Sequence, residues 1–151
     1  MPRAPSPLSD DDYQRLLSLR TSLRGFLRWS EARALAAGVT PAQHQLLLAV
    51  RGHPDQRGPT IGEVADYLFL RHHSAVGLVD RADQAGLVRR NGDPDDARVV
   101  RVVLTPAGRR ALEDLSLLHL EELSRLRTHL QPLLRGLDLE QDDRGGSRAA
   151  V

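Results

Sequence analysis

Apolar residues recur at helical spacing through most of this chain, and the period is broken once by a short β-like stretch. Leu16, Leu19, Leu23 and the pair Phe26/Leu27 form the first stripe, three to four residues apart as one face of a helix requires. Ser9 ahead of Asp10, Asp11 and Asp12 supplies a cap and an acidic first turn. That helix is expected to reach about Ala36 and stop at Gly38. Thr40-Pro41 opens the next helix, with Thr40 as cap and Pro41 at the first helical position, and it carries Leu46, Leu47, Leu48 and Val50. Thr60-Ile61-Gly62-Glu63 has capping-box spacing, so a third helix starts at about Thr60 with Ile61, Val64, Ala65 and Leu68 on its apolar face. Phe69-Leu70 leads through a short turn into a fourth helix from about His72, where Ala75, Leu78, Val79 and Ala82 share one stripe.

The period then changes. Gly86 stands just past a helix end, and Leu87 to Arg90 and Val99 to Leu104 read as two strands. Between them Asn91-Gly92-Asp93-Pro94-Asp95-Asp96-Ala97 is dense in turn formers. Thr105-Pro106 repeats the cap signature ahead of a long helix carrying Ala111, Leu112, Leu115, Leu118, Leu123, Leu126 and Leu130. That helix is expected to end near Gln131-Pro132, and Leu133, Leu134, Leu137 and Leu139 predict a last short one. The fold class is therefore mainly α with a small β-hairpin wing, a winged helix-turn-helix over about 40–106. Helices over about 9–37 and 106–141 flank it and carry more leucine than one small winged unit needs, so they are expected to pair two chains. Residues 9–141 make one domain, between a flexible arm at 1–8 and a flexible tail at 142–151.

A helix pair followed by an arginine-rich hairpin points to double-stranded DNA. The face opposite the apolar stripe of the fourth helix presents Arg71, His72, His73, Ser74, Val76 and Gly77, and a helix in the major groove reads base edges with side chains near its N-terminus. Gly77 admits two readings: close approach to DNA, or an ordinary helix glycine costing roughly 1 kcal/mol relative to alanine. His72 and His73 are likewise base readers or solvated helix-start residues, and adjacent histidines point in different directions, so no metal site is expected. Arg89, Arg90, Arg98 and Arg101 flank the hairpin tip. Arg98 is the candidate for a narrow minor groove, where negative potential concentrates. Asp93, Asp95 and Asp96 oppose phosphate and need another role: Asp93 with Pro94 in the turn, and Asp96 bracing the guanidinium of Arg98.

Leu70-Arg71-His72-His73-Ser74-Ala75-Val76, Ala85-Gly86-Leu87-Val88, Asp93-Pro94-Asp95-Asp96-Ala97-Arg98 and Leu104-Thr105-Pro106-Ala107-Gly108 together resemble the MarR family of transcriptional regulators. The resemblance implies a homodimer whose wing arginine, matching Arg98, enters the minor groove with Asp96 bracing it. It implies a recognition helix over about His72 to Gln84. It also implies an effector cleft between the dimer helices and the winged unit, for which Arg28, Trp29 and His44 are candidates toward a small, aromatic or phenolic molecule. Trp29 is equally read as core or interface, and His44 as a solvated residue in the first turns of its helix. Ala97 and Gly77 depart from the family pattern, so base specificity does not transfer.

Composition narrows the rest. With 21 basic and 20 acidic residues the net charge is +1, so the distribution of charge and not its sum carries the DNA reading. Every basic residue is arginine, a bias of genome composition more than of phosphate recognition. Without cysteine there is no disulfide and no thiol switch, which leaves sensing to a ligand. No apolar run is long enough for a membrane span and none has signal-peptide form, so a cytoplasmic protein is expected. None of the six histidines sits in a catalytic motif, so neither an enzyme nor a cofactor is expected. The expected function is a ligand-responsive repressor at a pseudo-palindromic operator. The rival reading is a winged helix used as a protein-interaction module.

Overall fold

The computed structural model describes residues 8–135. The expected arm over residues 1–7, Leu137 and Leu139 of the last short helix, and the tail at 142–151 lie outside the described residues. The element order is α1 (Asp10–Ala36), α2 (Pro41–Gly52), α3 (Ile61–Leu68), α4 (His72–Gln84), β1 (Val88–Gly92), β2 (Val100–Leu104) and α5 (Pro106–Arg135). Two compact units divide it, one over residues 27–121 and one made of the segments up to 26 and from 122.

The first unit is the winged helix. Capping fixes where its helices start. The Thr40 hydroxyl accepts the Gln43 amide while the Gln43 side chain accepts the Thr40 amide, and Thr60 with Glu63 repeats the arrangement. Two otherwise unpaired donors are thereby satisfied at each start. Phe69 ends α3 in the left-handed region at φ 53°, which turns the chain sharply into α4. The core gathers Leu46 and Leu47 of α2, Val64 of α3, Leu78 and Val79 of α4, Val88 of β1, Val102 of β2 and Leu112 of α5. Burying each such side chain contributes about 1.5–3 kcal/mol.

The strands pair antiparallel, with Val88 opposite Leu104 and Gly92 opposite Val100. They are shifted toward the tip relative to the sequence expectation, because Asn91 and Gly92 pair with Arg101 and Val100 and do not belong to the turn. The turn is closed by the Asp93 amide donating to the Val99 carbonyl at 3.0 Å. The chain ahead of α3 forms a third edge: Thr60 bridges Arg101, and the Val102 amide donates to the Pro59 carbonyl at 2.9 Å. Gly58 permits this approach, since its φ is +89° and an added Cβ would stand 2.0 Å from the Val102 carbonyl oxygen.

In the second unit the first turn of α1 is capped as expected, with the Asp12 amide donating to the Ser9 hydroxyl at 3.2 Å. Leu17, Ser18, Thr21 and Ser22 of α1 and Thr128, His129, Pro132 and Leu133 of α5 line a groove of about 620 Å³. Leu16, Leu17 and Leu23 of α1 and Leu123 and Leu134 of α5 are exposed. The expected break at Gln131-Pro132 is corrected: α5 runs through Pro132 to Arg135. Proline removes one intrahelical bond and crowds the preceding turn, yet here it does not end the helix, and Leu133 and Leu134 belong to α5.

No helix among the described residues is long and apolar enough to cross a membrane.

Candidate nucleic-acid interface

Two elements carry the candidate DNA-contacting residues. On α4, Arg71, His72 and His73 are exposed, Ser74, Val76 and Gly77 are half-buried, and the apolar stripe turns inward as the periodicity predicts. Threonine caps open α2 and α3, but Arg71 at the α4 cap position makes no side-chain capping bond. The Ser74 amide closes a turn on the Arg71 carbonyl at 3.0 Å, and no cap side chain meets the His72 and His73 amides ahead of it. The fold does not demand glycine at 77, since an added Cβ would meet only the mobile Nη1 of Arg81, at 3.3 Å.

On the wing, Arg98 projects almost fully into solvent, with its side chain 90% exposed. It is nonetheless oriented: Nε donates to Asp96 Oδ1 and Nη2 to Asp96 Oδ2, both at 3.1 Å, while the Arg98 amide donates to Oδ1 at 3.0 Å. These bonds, the guanidinium's first and the backbone amide's second, hold the Asp96 carboxyl below the usual carboxylate range. The expected bracing pair is thus formed, and it presents a guanidinium outward in a fixed plane.

The other wing arginines are placed differently. Arg89 is exposed and lines a polar cavity of about 390 Å³ with Arg51, His53 and Arg109. Arg90 is turned back onto α4, where it pairs with Asp80 and, at 3.3 Å, with Asp83. Arg101 is the most enclosed, its side chain 14% exposed. Its Nε donates to Asp93, and its Nη1 donates to the Gly58 carbonyl at 2.9 Å. Arg57, in the loop between α2 and α3, joins the same cluster through Asp55 at 2.8 Å and Asp95 at 3.0 Å. The signal was present: Asp55-x-Arg57 repeats the Asp96-x-Arg98 spacing, and both arginine amides bond the aspartate two residues back.

With this geometry in place, the sequence model of the MarR family matches residues 37–99, from the start of the winged unit through the wing tip. Over that stretch the chain is similar to the MarR family. Two HTH-type transcriptional regulators of Bacillus subtilis (strain 168) are similar to it. YsmB is 40% identical over 55 residues, 36% of this chain and 38% of the relative, and YcgE is 34% identical over 102 residues, 67% of this chain and 60% of the relative. The chain thus spans less than two thirds of the length of either. Among solved structures, the MarR family transcription regulator SP03579 superposes with a TM-score of 0.70 at 24% identity, covering 84% of this chain and 82% of that one. A MepR variant from S. aureus bound to an oligodeoxyribonucleotide superposes with a TM-score of 0.63 at 18% identity, covering 83% and 97%. At these identities the structures establish the MarR fold.

The candidate ligand residues are dispersed. A mostly apolar cavity of about 690 Å³ is lined by Leu27, Ser30, His44, Tyr67, Phe69 and Leu70 among others. His44 lines it and is buried, 4% exposed, so the solvated reading of this residue does not hold. Burial pushes the His44 imidazole below its ordinary pKa, and the neighbouring His119, with ring centroids 4.7 Å apart, pushes the same way. Trp29 is half-buried with its edge on His119 at 4.9 Å, and Arg28 is exposed and does not line the cavity. His119 was missed as a partner. It is held by Ser30 Oγ at 2.6 Å and the Leu115 carbonyl at 2.7 Å, and its place one turn after the buried Leu115 on α5 was the available clue.

Proposed function

We propose that this chain is a sequence-specific, double-stranded DNA-binding regulator of transcription, a cytoplasmic homodimer that represses by occupying a pseudo-palindromic operator. The observation that carries this reading is the solvent-projected Arg98 guanidinium clasped in plane by Asp96 at the wing tip. A planar cation fixed on a hairpin suits insertion into a narrow minor groove. The exposed, uncapped start of α4 supports it, offering free amides to phosphate and His72, His73 and Val76 to base edges. The match to the MarR family model, relatives named transcriptional regulators, and a fold shared with an oligonucleotide-bound MepR point the same way. Exposed leucines on α1 and α5 supply the apolar surface a second chain would cover. In such a dimer the two recognition helices enter successive major grooves about 34 Å apart.

The response to a small aromatic or phenolic effector is assigned to the 690 Å³ cavity. The buried His44 is among its polar lining groups, with Ser30 and Tyr67, and the walls are largely apolar. Tyr67 to Leu70, which lead directly into α4, form one wall, so an occupant would bear on the recognition helix.

The test is binding of the purified full chain to its own upstream intergenic DNA against a random duplex at two salt concentrations. Preference for the upstream fragment that weakens steeply with salt supports the reading, because arginines on phosphate release counterions. No binding even at low salt overturns it in favour of a protein-interaction module.

A further inference from the structure

The acidic residues around the wing are the feature that DNA binding leaves unexplained, since each would be repelled by phosphate. Their geometry assigns them to each other's arginines. The Asp93 carboxylate is 5% exposed; it accepts from Arg101 Nε and from the Asp95 and Asp96 amides at 2.8 and 3.2 Å. Arg101 Nη1 reaches back to the Gly58 carbonyl and lies 3.7 Å from Asp55. Arg57 stands between Asp55, Asp95 and, at 3.7 Å, Asp93. Carboxylates and guanidiniums thus alternate from the loop after α2 to the hairpin tip. Beside them the Val102 amide donates to the Pro59 carbonyl, and Gly58 leaves no room for a side chain.

We propose that Arg101 and Asp93, extended by Arg57, Asp55 and Asp95, form a bracket that docks the wing on the loop after α2, making Arg101 and Arg57 positioning residues that act on DNA through Arg98. The inference rests on the DNA-binding reading for its functional consequence, while the docking itself does not depend on DNA. Two features separate the bracket from an incidental ion pair. The cluster crosses between segments far apart in sequence, residues 55–58 and 93–101, so it restrains the tip of a hairpin whose base is held by Val88, Val102 and the pairing of Arg90 with α4. Its central pair is also enclosed, where charge pairs are screened less than at the surface. By contrast Arg98, two residues from its partner, is held only locally and remains free to contact a ligand.

The sign of the Asp93→Asn effect makes the proposal testable. If the acidic tip merely repels phosphate, removing a negative charge tightens DNA binding; if the bracket positions the wing, the same change weakens it. The full chain would be compared as wild type, Asp93→Asn, Arg101→Met, Arg98→Ala and the Arg98→Ala/Arg101→Met double variant. Amide exchange is followed without DNA, and duplex affinity with the upstream fragment. The expected results are exchange about tenfold faster in Gly92–Val102 in both bracket variants, with α4 and α5 amides unchanged. DNA binding is weakened by Asp93→Asn, and the double variant lies within about twofold of Arg98→Ala alone, since residues acting as a unit are non-additive. Tighter binding by Asp93→Asn, or multiplied losses in the double variant with a salt slope lower by about two instead of one, would make Arg101 a direct phosphate contact and overturn the proposal. Unchanged wing exchange in both variants overturns the docking itself. If wild type shows no duplex preference, the functional reading fails while exchange still decides the bracket.

Discussion

The helix trio α2–α4 and the wing it carries are held together by different forces. The trio closes over side chains with almost no exposure, Leu46, Leu47, Val64 and Val79 among them, and its polar bonds are mainly caps at helix starts. Of the wing, Val88 and Val102 are buried in the core and Leu104 packs against it. Beyond them the hairpin is fixed by the Pro59–Val102 backbone bond and by alternating aspartates and arginines. Apolar burial is indifferent to salt and to acid, whereas ion pairs respond to both. The same domain therefore joins an apolar helix platform to a wing attached largely through charge, and the wing proposed to meet DNA is the element whose acidic residues are already paired with arginines.

The largest expected effect lies on the apolar side. Leu47→Ala removes a side chain with 0% exposure and should lower unfolding free energy by about 2–5 kcal/mol, read as a drop in the denaturant midpoint. The salt response of wing exchange should persist in the folded fraction. A loss under 1 kcal/mol would mean that the trio is not the stable platform described above.

Arg98→Ala addresses the wing. With its side chain 90% exposed, its removal should leave the unfolding midpoint where it is and weaken operator affinity by about 1–3 kcal/mol, with a salt slope lower by about one. Unchanged affinity would remove the wing from the interface and leave α4 as the only reader.

Much of the trio was legible in the sequence because helix starts and apolar faces are local signals. Thr40 and Thr60 mark their helices to the residue, and Ala75, Leu78, Val79 and Ala82 are all buried as their spacing implies. Pairing of Arg98 with Asp96 was legible for the same reason, two residues apart on a tight tip. What escaped was long-range. Nothing local shows that Arg101 turns to Asp93 and Gly58, or that Arg90 turns to Asp80, because an arginine in an alternating strand looks the same whether it faces DNA or a carboxylate. His119 escaped likewise, since its partners Ser30 and His44 lie on other helices. Pro132 misled in the opposite sense, its local signal being overridden in a helix long enough to absorb it.

Gly77→Ala sharpens the contrast within the reader itself. Replacing a helix glycine by alanine should raise stability by up to about 1 kcal/mol, and the only atom in the way is the flexible end of Arg81. If Gly77 is kept for close approach to DNA, affinity should fall while the thermal midpoint rises. A rise in both would make it an ordinary helix glycine.

Acid separates the two regions by pH, with the smallest effect in the core. The folded-state pKa of His44 is lowered from 6.5 by burial and by His119. The unfolded chain therefore takes up the proton first, and the stability this group contributes is fully present above about pH 6.5 and lost as pH falls through the lower folded value. The carboxyls of Asp55, Asp93 and Asp96 are lowered from 3.8, chiefly by side-chain bonds from Arg57, Arg101 and Arg98. Their contribution is present above that value and disappears only below it. Thermal unfolding at pH 7.5, 5.5 and 2.5, with wing protection factors measured alongside, should show a modest fall in midpoint over the first interval and lower wing protection over the second. His44→Asn should flatten the first and leave the second untouched. A variant that keeps the fall between pH 7.5 and 5.5 would move that titration away from His44, and wing protection that drops already in that interval would mean that the wing is not held by its carboxylates.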